Sequence, residues 1–396
     1  MPQLVAFAIL TFILFVGDVA ATRTKSKLPS IFVCAVLFLI GYWTFFPQDI
    51  VALAGFGTPI VYLAMYLLVT NMGTLLSFGE LKRQWRTVIV ALLGITGIAA
   101  MLFTVGRLFL DYNTVIVVTP PLTGGVVSSL IMSQAAADAG LKSLSVLAIL
   151  IYVMQGFFGY PLTSFMLQRE GRRVLSLYRA GKWDVTNENA ALVQTKDANT
   201  PKLFRWLPAE YDTVYFKLFR LGFVAFLAWA ASDLLKPVVT ISPFVLCLIA
   251  GVIASSLGFL ERQPLRMANS FGFVIMILML FILGGLHRAT PDMLLSLAGP
   301  MFGAIIIGLI GMYIFSFVAS KLLGMTTAMA FACSLTALYG FPADYVITNE
   351  VVNSLGENDE EREVLIAHML PPMLVAGFVT VTIVSVLLAG IFGGLL

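Results

Sequence analysis

Charge is what this chain has least of. Only 11% of its 396 residues are Asp, Glu, Lys or Arg, well under the roughly 25% that soluble domains carry. That shortage excludes a water-facing surface over most of the molecule. Cysteine is nearly absent: Cys34, Cys247 and Cys333 all fall in apolar segments without paired spacing, which excludes a disulfide framework and a thiolate metal centre. The chain lacks a phosphate-binding loop, a zinc motif and a nucleophile elbow. The one long polar stretch, Arg169 to Asp212, could house a soluble domain but holds no such motif, so an ATP-driven pump is excluded. We expect no enzyme, no organic cofactor and no nucleic-acid partner. The net charge of +3 decides nothing by itself.

What is present is hydrocarbon. Hydrophobic residues make up 59% of the chain and its mean hydropathy is +0.96. Apolar runs near the ~20 residues that a bilayer crossing needs recur at 3–20, 30–47, 51–76, 87–109, 144–167, 214–234, 239–260, 271–287, 298–320 and 364–390. The first run has neither a basic leader nor a clear cleavage site, so we read it as a retained helix. The expected class is an all-α integral membrane protein, multi-pass, in the plasma or inner membrane.

Two apolar regions are interrupted. Val118 to Ser129 reads VTPPLTGGVVSS, and a second stretch reads TALYGFPADYVITNEV. Proline removes an amide donor and glycine loosens the backbone. A break facing lipid costs several kcal/mol per unpaired peptide group, so such breaks belong in the protein interior. The chain also looks duplicated. PSIFVCAVLFLIG near Pro29 resembles SPFVLCLIAGVIA near Ser242, with Cys34 and Cys247 offset by 247 − 34 = 213, and Gly124 and Gly340 are offset by 340 − 124 = 216. Repeats with interrupted segments at matching positions are a habit of secondary transporters.

The positive-inside rule sets the direction. Arg23, Lys25 and Lys27, then Lys82, Arg83 and Arg86, then Arg169, Arg172, Arg173, Arg179 and Lys182 fall on one side only if residues 114–140 enter and leave by the outer face. Lys217 and Arg220 start the second half inside, and Arg262 and Arg266 also fall there, so residues 326–356 enter from the inner face. The expected architecture is an inverted repeat of five transmembrane helices plus one re-entrant hairpin per half. Its parts are 1–168, a cytoplasmic linker 169–213, and 214–396, with both termini outside.

A hairpin tip exposes free amides, which suit a carboxylate, and free carbonyls, which suit Na⁺. Around the first tip the candidates for substrate are Thr123, Gly124, Gly125, Ser128 and Ser129; for Na⁺ they are Pro121, Thr123, Ser133 and Gln134. Around the second, substrate candidates are Tyr339, Gly340, Phe341 and Asp344, and ion candidates are Asp344, Thr348 and Asn349. A carboxylate at the depth of Asp344 needs a partner. Glu350 sits nearer the interface and is a weaker candidate. Thr70 and Asn71 are expected to contact a hairpin, and Pro371 and Pro372, after His368, to kink the last helix. His287 belongs to an external loop.

These segments resemble the sodium/glutamate symporter family. The likeness is carried by TGGVVSSLIMSQAAADAGLKSLSVLAILIYVMQGFFGYPL and YGFPADYVITNEVVNSLGENDEEREVLIAHMLPPMLVAGF, and the similarity spans nearly the whole chain. The related 2-hydroxycarboxylate/citrate carriers share the general architecture. The resemblance implies Na⁺-coupled uptake of an anionic amino acid such as glutamate by an elevator motion, in a homodimer, with Gly124, Gly125 and Gly340 to Asp344 at the tips. The chain departs from the family at one place. The family's first tip reads Gly-Gly-His-Gly, and here Val126 and Val127 stand for the histidine and the last glycine. No deep arginine awaits a side-chain carboxylate, so a zwitterion or monocarboxylate fits as well. H⁺ coupling and a passive channel are the alternatives.

Overall fold

A computed structural model of the chain describes residues 1–74, 84–183, 202–204, 206–235 and 243–396. Lys82, Arg83, Ser242 and residues 184–201 and 205 of the 169–213 linker lie outside the described residues. Among the described residues there is no strand, and the protein is all-helical. Its first helices are α1 (Gln3–Arg23), α2 (Ser30–Thr44), the single turn α3 (Ile50–Leu53), α4 (Thr58–Gly73), α5 (Trp85–Thr104), α6 (Tyr112–Leu122), α7 (Val126–Asp138) and α8 (Lys142–Arg179). The rest are α9 (Val214–Leu235), α10 (Pro243–Ser256), the turn α11 (Pro264–Met267), α12 (Phe271–Gly284), α13 (Pro291–Leu323), α14 (Thr327–Leu335), α15 (Ala343–Leu355) and α16 (Asp359–Phe378). A π-helical turn, Val379–Val384, leads into α17 (Ser385–Gly393).

Among the described residues seven helices are long and apolar enough to cross a membrane: α1, α5, α8, α9, α12, α13 and α16, four of them counted with short continuations or without a ragged end. The expected run 51–76 is divided. Gly55 at φ +99° and the Gly57-Thr58-Pro59 start of α4 put a turn between α3 and α4. The run 144–167 is longer than expected, because α8 continues to Arg179. Leu167, Gly171, Val174 and Leu175 keep an apolar stripe buried there, and Arg173 pairs with Glu170 at 2.6 Å. Arg169, Arg172, Arg173 and Arg179, read as a loop, are therefore on a helix, and Lys182 follows it.

The order of elements recurs. The starts of α2 and α10 are offset by 243 − 30 = 213, those of α3 and α11 by 264 − 50 = 214, those of α6 and α14 by 327 − 112 = 215, and those of α7 and α15 by 343 − 126 = 217. The caps follow suit: Asp111 accepts from the Thr114 amide at the start of α6, and Thr326 from the Met329 amide at the start of α14. So do the cysteines, with Cys34 Sγ on the Ile13 carbonyl at 3.5 Å and Cys247 Sγ on the Ala225 carbonyl at 3.9 Å.

The helices pack in two groups, α1–α4 with α9–α12 and α5–α8 with α13–α17. Small residues set the closest crossings, as is usual where helices associate in lipid. Gly73 of α4 lies against Gly251 of α10, and Gly97 of α5 against Gly311 of α13. At one end of the molecule the last turns of α8 gather other segments. Buried Glu170 accepts from Arg173 and from Thr326 Oγ1 (2.7 Å) and meets His368 Nε2 at 2.9 Å, while Arg179 pairs with Glu357 and Glu361. Both ends of the 326–356 segment thus touch the same stretch of α8. Ile116 and Val117 of α6 and Met132 and Ala136 of α7 instead cluster with Ala148 early in α8 and Ala389 of α17.

A candidate binding site at two helix breaks

The first break follows from proline and glycine chemistry. The last turn of α6 holds Pro120 and Pro121, which donate no amide, and the chain turns through Thr123, Gly124 and Gly125 before α7 begins. The Thr123 amide bonds to the carbonyls of Thr119 and Pro120 at 3.1 Å, and Gly124 to that of Pro121 at 3.3 Å. Thr123 Oγ1 donates to the Pro120 carbonyl (2.9 Å) and Ser128 Oγ to the Gly125 carbonyl (2.8 Å). Each hydroxyl spends its hydrogen locally and keeps lone pairs that a cation can use. Pro121, Thr123, Ser128 and Ser129 are all buried.

The second break winds from α14 through a 3₁₀ turn, Thr336–Leu338, to Gly340 at φ +65°, a backbone shape glycine tolerates best. Tyr339 donates its hydroxyl to Thr163 at 2.7 Å, and Phe341 stacks on Phe378 at 5.5 Å. Asp344 lies in the first turn of α15 and is wholly buried. Its Oδ1 accepts from the Tyr345 amide at 2.6 Å, but its Oδ2 has no hydrogen-bond partner among the described residues. That oxygen points at Gly377 of α16, where an added Cβ would collide with it.

The two breaks meet on the π turn. A Cβ on Gly125 would lie 2.6 Å from Val381 Cγ1, one on Gly340 2.7 Å from Val381 Cγ2, and one on Gly124 would run into Ser385 Cβ. Val381 is thus held between the first tip and the second. π turns break the regular hydrogen-bond ladder and cluster at functional positions. Ser385 Oγ donates to the Val381 carbonyl at 2.8 Å. Val381, Ser385 and Gly377 carry no sequence motif, and none of them is a candidate by sequence.

Other candidates lie apart. Ser133 is eight residues beyond Gly125, about 12 Å along the helix, and its hydroxyl bonds Ser145 at 2.9 Å. Gln134 is spent on Asp138 at the surface. Neither reaches the tip, so their expected role in holding Na⁺ there does not stand on this geometry. Thr348 and Asn349 donate back into their own helix, to the Asp344 and Tyr345 carbonyls at 2.7 Å. Glu350 leaves the tip altogether and caps α2, accepting from the Ser30 amide (3.0 Å) and hydroxyl. Asn71, expected to contact a hairpin, instead turns its Oδ1 to the Leu265 amide, which donates to it at 2.9 Å, and holds the turn α11. Pro371 and Pro372 lie within α16, and the departure from regular helix comes later, at Val379.

A cleft with about 30 Å³ of free space runs between the two helix groups, from Ala35 and Leu286 on one side to Tyr160, Leu338 and Tyr339 on the other. It reaches the second tip at Tyr339. Among the described residues no group of three or more His, Cys, Asp or Glu side chains gathers as it would around a metal ion.

Apolar helices, repeated element order and buried helix breaks define a multi-pass integral membrane protein. No protein-family model matches the chain, and no curated protein matches it.

Proposed function

We propose that the protein is a Na⁺-coupled secondary transporter of a small organic anion or amino acid, working by elevator-type alternating access. The observation that carries this reading is the meeting of Gly125 and Gly340 on either side of Val381. A solute site between paired repeats brings the breaks of the two halves to one place, and Val381 is where these two meet. In this reading α6–α7 and α14–α15 are re-entrant hairpins of an inverted repeat. The contacts of Thr326 and Glu357 with one end of α8, and of Ile116 and Ala136 with the other, support opposed points of insertion. Asp344 Oδ2 takes Na⁺ as cargo, since a buried ionised carboxylate without a partner costs several kcal/mol. The α5–α8/α13–α17 group carries the site and moves against the α1–α4/α9–α12 group, which forms the homodimer contact.

The experiment is counterflow in proteoliposomes. A carrier preloaded with its solute accelerates uptake of labelled solute under a Na⁺ gradient. Uptake that ignores both the internal solute and Na⁺ identifies a pore.

A further inference from the structure

Gln155 stands out once the two tips are placed. It lies in the middle of α8, fully buried, and neither its Oε1 nor its Nε2 has a hydrogen-bond partner among the described residues. An unsatisfied buried amide is destabilising, and native interiors seldom keep one without a use for it. Its place on the helix says what that use is. Ala148, Gln155 and Gly159 follow at intervals of seven and four and share one face of α8. Ala148 packs with Ile116 and Val117 of the first hairpin, and a Cβ on Gly159 would meet Tyr339 at 2.8 Å and Leu338 at 3.2 Å, in the second. Gln155 is therefore at the level where one hairpin gives way to the other.

We infer that Gln155 is a substrate-recognising residue and that the substrate is an α-amino acid of no net charge; this rests on the transporter reading above. A carboxamide sets an acceptor and a donor side by side, and the head of an α-amino acid presents an ammonium and a carboxylate in the same way. Its Oε1 accepts from the ammonium and its Nε2 donates to the carboxylate. A second carboxylate on the solute meets no unpaired buried cation among the described residues. Among the described residues the buried basic side chains are Lys217, held by Asp212 just before α9, and Arg220, held by Asp212 and by Glu261 of the α10–α11 connection. Asp344 adds one negative charge, which Na⁺ balances, so a neutral solute leaves the site neutral.

The test uses the purified full-length protein and thermal unfolding, with and without Na⁺, against glycine, alanine, serine, glutamine, glutamate and succinate. We expect one or more of the neutral amino acids to stabilise the protein in Na⁺ and the two acids to do nothing. Gln155→Leu, with Gln155→Met as a variant of closer length, should raise the half-saturating concentration about tenfold or more. Its ligand-free Tm should stay level or rise, and stabilisation by Na⁺ alone should persist. A variant that binds the amino acid like wild type, a ligand-free Tm several degrees lower, or stabilisation by the acids alone overturns the inference and leaves the transporter reading intact. A wild-type protein that responds neither to Na⁺ nor to any solute overturns both.

Discussion

Gly97 and Gly311 cross with each against the other's backbone: a Cβ on Gly97 would stand 2.5 Å from the Gly311 carbonyl oxygen, and one on Gly311 would press still closer on that of Gly97. Their offset, 311 − 97 = 214, matches the one between α3 and α11. The proposed inverted repeat would generate reciprocal contact of this kind through its two-fold relation, and α5 and α13 form the most extensively packed helix pair among the described residues. Gly97→Ala and Gly311→Ala should each cost about 1–3 kcal/mol, since backbone must move to admit the methyl. The double variant should cost less than the sum, because one displacement serves both. Thermal unfolding of the four proteins reads this directly.

Gly125 and Gly340 both touch Val381 but for different reasons, and substitution separates them. Gly125 has an ordinary φ of −69°, so only Val381 Cγ1 opposes a methyl there. Gly125→Ala should weaken solute-induced stabilisation, and Val381→Ala added to it should restore most of the loss. Gly340 sits at φ +65°, where alanine is strained whatever the space. Gly340→Ala should stay impaired with Val381→Ala beside it.

Asp344→Asn removes the charge and keeps the shape. A cation bound at a hundred times its dissociation constant stabilises by about 2.7 kcal/mol, and that increment should vanish in the variant while its Tm in K⁺ holds or rises. An unchanged response to Na⁺ removes Asp344 from the site.

Asp111 caps α6, accepting from Thr114 Oγ1 at 2.5 Å and the Thr114 amide at 3.0 Å. The side-chain bond from Thr114 is the chief cause that holds its carboxyl below the ordinary 3.8. A depressed carboxyl adds stability that is present above the unfolded value and is lost as pH falls through the folded one. Asp111→Ala should therefore cost about 1 kcal/mol near neutrality, and the gap from wild type should close in acid, below that ordinary value. A gap that persists there points to packing, not to the cap.

Both breaks are legible in the sequence because proline and glycine announce themselves in an apolar run. The recurring order of elements is legible in Cys34 and Cys247, whose sulfurs reach the Ile13 and Ala225 carbonyls, themselves offset by 225 − 13 = 212. What closes the site is not legible. Val381 and Gly377 are ordinary residues in an apolar helix, and only the fold makes one a spacer between tips and the other a neighbour of Asp344. Gln155 is a single amide whose value lies in having no partner, which no spacing reveals. Charged residues mislead where they sit on a helix: Arg169 to Arg179 read as a loop, whereas Glu170 and the buried stripe beneath them extend α8. Glu350 and Asn71 look like site residues because polar groups are rare here, yet both satisfy backbone amides of neighbouring turns.

Opposed insertion of the two broken segments is tested most directly by single cysteines at Asn113, Gly140, Met325 and Glu357, in a protein whose Cys34, Cys247 and Cys333 are replaced by alanine, labelled in sealed vesicles with a membrane-impermeant maleimide. We expect the cysteines at 113 and 140 to react from one face and those at 325 and 357 from the other. Labelling of 113 and 140 from opposite faces, or of all four from the same one, contradicts it.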